Sequence, residues 1–205
     1  SLPNRNALPY AISLLTFTKQ SIIEYMKNIC VLPWIAIDRN RNTGGEVSLG
    51  PCCLWESKET YKDIKKYWNN KELVQLRQDF VDGKKPSSCR LCWKNEDAGI
   101  ESMRQAVNKG RLEKYKDRLS ETTLTVAPAQ LKYTVGKECN LACRMCLPQW
   151  STKVQKVWEV LDRKPETEDD NLSVHPEFIL KNRKDVQFLD IIGGEPFYHK
   201  KAKNL

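Results

Sequence analysis

Histidine is scarce in this chain, with only two in 205 residues. Because His175 and His199 lie far along the sequence from the first cysteines, a zinc site of mixed cysteine and histidine has few ligands to draw on. Long apolar runs are missing as well. None approaches the roughly 18 residues that span a bilayer, so no membrane partner is expected. The apolar stretch Ala7 to Phe17 follows Arg5 and has the length of a signal-peptide core. No small-residue cleavage site follows it before Lys19, so a buried strand or helix is the expectation. There are no long repeats and no low-complexity tract. With nothing else pointing to secretion, the chain is expected to be cytoplasmic and its cysteines not to be paired as disulfides.

What is present is an ordinary globular composition, 40% hydrophobic and 29% charged, long enough for one domain or two small ones. The formal charge of +8 fits nucleic acid or an acidic partner. The eight cysteines are grouped, at 30, 52, 53, 89, 92, 139, 143 and 146. C-x2-C and C-x3-C spacings favour metal over disulfides.

Periodicity gives a coarse map. Ser21 to Lys27 reads as a short helix, Val31 to Asp38 as a strand, and Glu46 to Leu49 as its hairpin return after the turn Asn42-Thr43-Gly44-Gly45. Cys30 and Cys52 then share the open end of that hairpin. Lys58 to Asn69 and Lys71 to Val81 read as helices, the second with Leu73, Leu76 and Phe80 on one face and Gly83 and Pro86 as stops. A further helix is expected around Ser102 to Lys116. Thr122 to Gln130 has linker composition and divides the chain into 1–121 and 122–205. Leu131 to Val135 reads as a strand, Ser151 to Leu161 as a helix and Val186 to Ile192 as a buried strand, which together make a parallel β-α-β unit. Between the last two elements, Glu166 to Asp170 is an acidic run in a solvated loop.

Cys139, Cys143 and Cys146 fall within eight residues with no fourth cysteine close by. Three thiolates on a cubane leave one iron without a protein ligand, and an open metal position is what catalysis requires. The segment Cys139-Asn140-Leu141-Ala142-Cys143-Arg144-Met145-Cys146 resembles the signature of the radical S-adenosylmethionine superfamily. The resemblance implies a 4Fe–4S cluster on the three cysteines, with the methionyl amino and carboxylate groups of the cofactor on the open iron. The position beside the adenine, usually aromatic, is Met145 here, a polarizable substitute. Gly193-Gly194-Glu195-Pro196 ends the next strand, where parallel sheets bind ligands. It resembles the family's GGEP element, which implies contact with the methionyl amino group.

Cys30, Cys52, Cys53, Cys89 and Cys92 offer five thiols where a second cluster needs four. Neighbours in an extended chain point to opposite faces, so either Cys52 or Cys53 joins the set, with Cys52 preferred. The layout of hairpin, cysteine pair, helices and C-x2-C resembles a twitch or SPASM-like auxiliary-cluster domain. So does Glu96-Asp97-Ala98-Gly99 followed by Ser102 and Arg104. Two clusters would lower the charge from +8 to roughly +5, which weakens the case for nucleic acid through Lys109 to Arg118.

The expected fold is therefore α/β. A small α+β twitch or SPASM-like iron–sulfur part precedes the first βα units of a partial (β/α)6 TIM-like barrel. Such a barrel needs more βα units than the nine residues after Pro196 can hold, so a truncated protein or a second polypeptide completing the barrel is expected. By resemblance, one electron reaches the cofactor's sulfonium, the S–C5′ bond breaks, and the 5′-deoxyadenosyl radical abstracts a substrate hydrogen, with a peptide as candidate substrate. A one-electron donor such as a flavodoxin or ferredoxin is implied. The alternative is a non-catalytic iron–sulfur or zinc binding module.

Overall fold

The computed structural model describes residues 27–41, 43–44, 46–163 and 176–198. The expectations for Ala7 to Phe17, most of Ser21 to Lys27, the acidic run Glu166 to Asp170 and both histidines lie outside those residues, as do Asn42 and Gly45 of the hairpin turn.

The described residues form a mixed α/β structure around a four-stranded sheet. A one-turn helix, α1 (Leu32–Ile35), runs directly into β1 (Ala36–Arg41). The stretch from Val31 to Asp38 is thus helix before it is strand. Pro33 sits in the first turn of α1, where its fixed φ suits a helix start and its missing N–H costs nothing. β2 (Val47–Gly50) returns antiparallel to β1, with Asp38 opposite Gly50 and Arg41 opposite Val47. β3 (Gln130–Thr134) lies parallel to β1, and β4 (Phe188–Ile192) parallel to β3. The strand order is β2-β1-β3-β4. β4 forms an edge and is half-exposed, with Ile191 in solvent; the expected burial is absent on this strand because no described element covers its outer face.

Between β2 and β3 the chain is mostly helical. Only Ile64–Trp68 of the expected helix Lys58 to Asn69 forms, as α2, capped by Asp63, which accepts from Lys66 N at 2.8 Å. The preceding residues are held by partners elsewhere instead. Tyr61 N donates to Ser48 Oγ at 2.7 Å, Tyr61 O accepts from Leu49 N, and Lys58 N donates to Glu72. Tertiary hydrogen bonds to β2 here outcompete local helix propensity. α3 (Lys71–Val81) forms as its periodicity predicts, with Asn70 as N-cap and Leu73, Leu76 and Phe80 buried. α4 (Arg90–Asp97) and α5 (Met103–Arg111) follow. α5 starts at a capping box of Ser102 and Gln105, which satisfies two otherwise orphaned N–H groups. The expected helix to Lys116 breaks at Leu112, and Glu113–Arg118 continues as a 3-10 turn.

The core runs from Ile29, Val31, Trp34 and Ile35 through Leu73 and Phe80 to Leu131, Tyr133 and Val135. Residues 122–129 form no regular element, yet Leu124 and Ala129 are buried. They are held against α2: Trp68 Nε1 donates to Val126 O, and Asn69 Nδ2 to Leu124 O, both at 2.8 Å.

Arg77, on the buried face of α3, ties these parts together. Its guanidinium donates to the carbonyls of Pro33, Trp68 and Thr122 at 2.9–3.0 Å and to Asn69 Oδ1 at 3.1 Å. Burial lowers its pKa to about 10, so it stays charged at neutral pH. Arg77→Met leaves several buried acceptors without a donor. It is expected to cost roughly 3 kcal/mol or more of unfolding free energy, measurable as a fall in the urea midpoint.

Candidate functional site

Four of the five N-terminal cysteines come together. Cys30, Cys52, Cys89 and Cys92 line one small cavity, closed by Leu54, Trp55 and Arg104 among others. Each arrives on a different support. Cys30 precedes α1, and its flanking backbone is pinned by α5: Asn108 Nδ2 donates to Ile29 O at 2.7 Å, and Val31 N donates to Asn108 Oδ1 at 3.1 Å. Cys52 lies in the turn after β2, where Glu56 N reaches Ser88 O at 2.9 Å and joins that turn to the Cys89 segment. Cys89 ends a 3-10 turn, Ser87–Cys89, and Cys92 follows in the first turn of α4.

Burial pushes the thiols of Cys30, Cys52 and Cys89 well above the ordinary cysteine range, and their proximity to one another adds to it. Alone, such thiols are protonated and inert; a coordinating metal deprotonates them outright. Four thiolates are the donor set of a closed iron–sulfur cluster or of an all-thiolate zinc site. All eight cysteines are free thiols. Among the described residues, no three His, Cys, Asp or Glu side chains converge as they stand on the position of a single metal ion.

Cys53 is turned away. It is exposed and faces the Asp38–Lys132 ion pair, closed at 2.7 Å. Its pKa is raised by partial burial and then by Asp38, with Lys132 opposing. With Arg39, Trp55, Arg90 and Trp150 it lines an open cleft of about 630 Å³. Leu54 and Trp55 face both this cleft and the four-cysteine cavity. Arg39 stacks on Trp150 at 4.8 Å, and Arg90 grips Glu56 at 2.7 Å. Trp150 follows Cys146 by four residues in sequence, so the cleft wall holds residues that neighbour both cysteine groups along the chain.

The second group is the loop that β3 enters. Ser151 and Thr152, at the start of α6 (Thr152–Val160), fold it back. Thr152 N donates to Lys137 O at 2.9 Å, Cys139 N donates to Thr152 Oγ1 at 3.3 Å, and Ser151 Oγ donates to Leu141 O at 3.3 Å. Ser151 also caps α6 by accepting from Val154 N at 3.3 Å. Within the loop, Leu141 N donates to Cys139 Sγ at 3.3 Å and Cys146 N to Cys143 O at 3.0 Å. Cys143 is exposed, and Met145 is 92% exposed.

Gly193 to Pro196 lies directly beside this loop. Val135 N donates to Ile192 O, Gly194 N to Gly136 O, and Glu195 N to Glu138 O, at 2.8–3.0 Å. The glycines serve this approach. A Cβ on Gly193, whose φ is +133°, would meet Gly136 O at 2.3 Å, and one on Gly194 would meet Glu138 O at 2.2 Å. The described contact of both glycines is thus with the chain's own backbone. Glu195 Oε1 accepts from Phe197 N at 3.3 Å.

Two residues at these sites have no role assignable from sequence: Trp150 and Asn108, which no periodic pattern marks. Arg104 is marked only as part of the resemblance to an auxiliary-cluster domain, with no role attached. The basic stretch Lys109 to Arg118 is largely engaged within the protein. Lys109 pairs with Glu101, Lys116 with Glu113, and Arg118 lies over Tyr115.

No helix among the described residues is long and apolar enough to cross a membrane. The described residues form a mixed α/β protein in which four cysteines line one cavity and three more lie in a separate loop. No protein-family model matches the chain, and no curated protein and no solved structure is similar to it.

Proposed function

We propose that this chain is a radical S-adenosylmethionine protein with two 4Fe–4S clusters. The observation that carries the reading is the adjacency of Gly193–Pro196 to the three-cysteine loop, through hydrogen bonds from Gly194 N and Glu195 N to Gly136 O and Glu138 O, in the segment between β3 and Cys139. Cys139, Cys143 and Cys146 would hold the catalytic cluster, and Cys30, Cys52, Cys89 and Cys92 the auxiliary one. When bound, the three-thiolate cluster supplies one electron to the sulfonium, whose S–C5′ bond breaks to methionine and a 5′-deoxyadenosyl radical. The chain's own part is positional. Ser151 and Thr152 hold the loop; the backbone near Glu195 would orient the methionine end, and Met145 would lie at the adenine. The substrate, a peptide by resemblance, would occupy the cleft lined by Cys53 and Trp150. A flavodoxin or ferredoxin would supply the electron.

Iron and sulfide analysis after anaerobic reconstitution tests the two-cluster content. About eight irons and eight sulfides per chain are expected, and two irons or fewer would rule it out. A second reading, a non-catalytic iron–sulfur or zinc module, is favoured by the exposure of Cys143 and Met145, since radical chemistry needs a dry site. Zinc without sulfide would support it.

A further inference from the structure

One buried cation in the wall of the four-cysteine cavity has no part in holding a thiolate. Arg104 is almost wholly buried and lines that cavity. Its Nε and Nη2 donate to the Glu96 carboxylate at 3.0 and 2.6 Å, and its Nη1 donates to Ile29 O at 2.8 Å and Lys27 O at 2.9 Å. Its guanidinium lies 4.7 Å over the Trp93 ring. Glu96 does not line the cysteine cavity; with Arg104 it lines a separate open groove on the outer side of α4 and α5. Ser102 Oγ donates to Glu96 at 2.5 Å. Burial would push the Glu96 carboxyl up, but hydrogen bonds from Arg104 and Ser102 and the Arg104 charge together hold it below the ordinary carboxylate range. The pair therefore spans the wall, with Arg104 lining both the cysteine cavity and the groove and the mostly buried Glu96 lining the groove alone.

We infer that the Arg104–Glu96 pair is a positioning and tuning device for the auxiliary cluster, an inference that rests on the four cysteines holding one. Two consequences follow from its placement. Through Ile29 O, Arg104 fixes the backbone that presents Cys30 relative to α4, which carries Cys92. Through its charge it stabilises the more reduced, more negative cluster. Net charge and local hydrogen bonding are among the terms that set iron–sulfur potentials, and a guanidinium in a low-dielectric wall acts more strongly than one in water. Glu96 moderates that field from the far side.

The test is a redox titration, followed by electron paramagnetic resonance. It uses the full chain carrying Cys139→Ala, Cys143→Ala and Cys146→Ala, so that only the four-cysteine group contributes. Arg104→Gln is expected to lower the midpoint potential, with at least a tenfold fall in the reduced-to-oxidised ratio at fixed potential, about 59 mV for one electron. Glu96→Gln, which keeps a hydrogen-bond acceptor for Arg104, is expected to raise it. Opposite signs separate an electrostatic role from simple loosening of the wall, which moves both variants the same way. Potentials that stay at the parent value, or that shift together, overturn the inference. Should Arg104→Gln fail to fold, the upward shift in Glu96→Gln alone decides it. A parent chain that takes up no iron overturns the four-thiolate reading itself, and this inference with it.

Discussion

Cys52→Ser is expected to remove about four irons per chain from the reconstituted protein, whereas Cys53→Ser is expected to leave the iron content unchanged. The two residues are adjacent and indistinguishable by spacing. The structure separates them by direction. Cys52 enters the cavity that Cys30, Cys89 and Cys92 also line, and Cys53 faces the cleft beside Arg39 and Trp150. A closed cluster deprived of one of four thiolates loses a corner, and the buried environment that raises the remaining pKa values offers no substitute anion. The measurement is iron and acid-labile sulfide per chain, with the charge-transfer region of the visible absorption spectrum as a second readout. Equal losses in both variants would mean that the turn after β2 refolds on cluster binding.

Gly194→Ala is expected to lower S-adenosylmethionine cleavage at least tenfold while both clusters are retained. The added Cβ would lie 2.2 Å from Glu138 O and 2.7 Å from its carbonyl carbon. These are backbone atoms in the strand exit that leads to Cys139, so the clash can be relieved only by moving the Gly193–Pro196 turn away from the cysteine loop. Overpacking of this kind costs about 1–3 kcal/mol, and here the cost falls on the adjacency that the functional reading depends on. Gly110→Ala is the control: its Cβ meets nothing within 4 Å, and in the last turn of α5 the change does not oppose the helix. Cleavage is read as 5′-deoxyadenosine formed per cluster under excess dithionite. An unchanged rate in Gly194→Ala would separate the GGEP segment from cofactor binding.

The elements legible in the sequence are those whose signals are local. α3 carries Leu73, Leu76 and Phe80 at helical spacing and ends near Gly83, whose φ is +71°. The β3–α6–β4 unit is set by two apolar strands and the Ser151 cap. What was not legible depended on partners distant in sequence. Residues 58–63 have helical composition but bond to Ser48 and Glu72. Val31 to Ile35 is rich in strand formers, yet Pro33 and the packing of Trp34 on Phe80, ring centroids 6.2 Å apart, turn it into a helix. At the site, the grouping of the cysteines was legible from their spacing alone. The choice of Cys52 over Cys53 rested on strand parity, but the pair sits in a turn past the end of β2; divergence of neighbouring side chains survives that change of backbone. The close backbone packing of Gly193 and Gly194, and the inward face of Arg104, required the fold.

The most direct test of the central claim is turnover of the cofactor alone. The protein is reconstituted anaerobically with iron and sulfide, reduced with dithionite and given S-adenosylmethionine, and the products are resolved by chromatography. The account predicts 5′-deoxyadenosine and methionine in equal amounts, in the parent protein and not in Cys143→Ala. A protein that carries its full complement of about eight irons and yields no 5′-deoxyadenosine would contradict it.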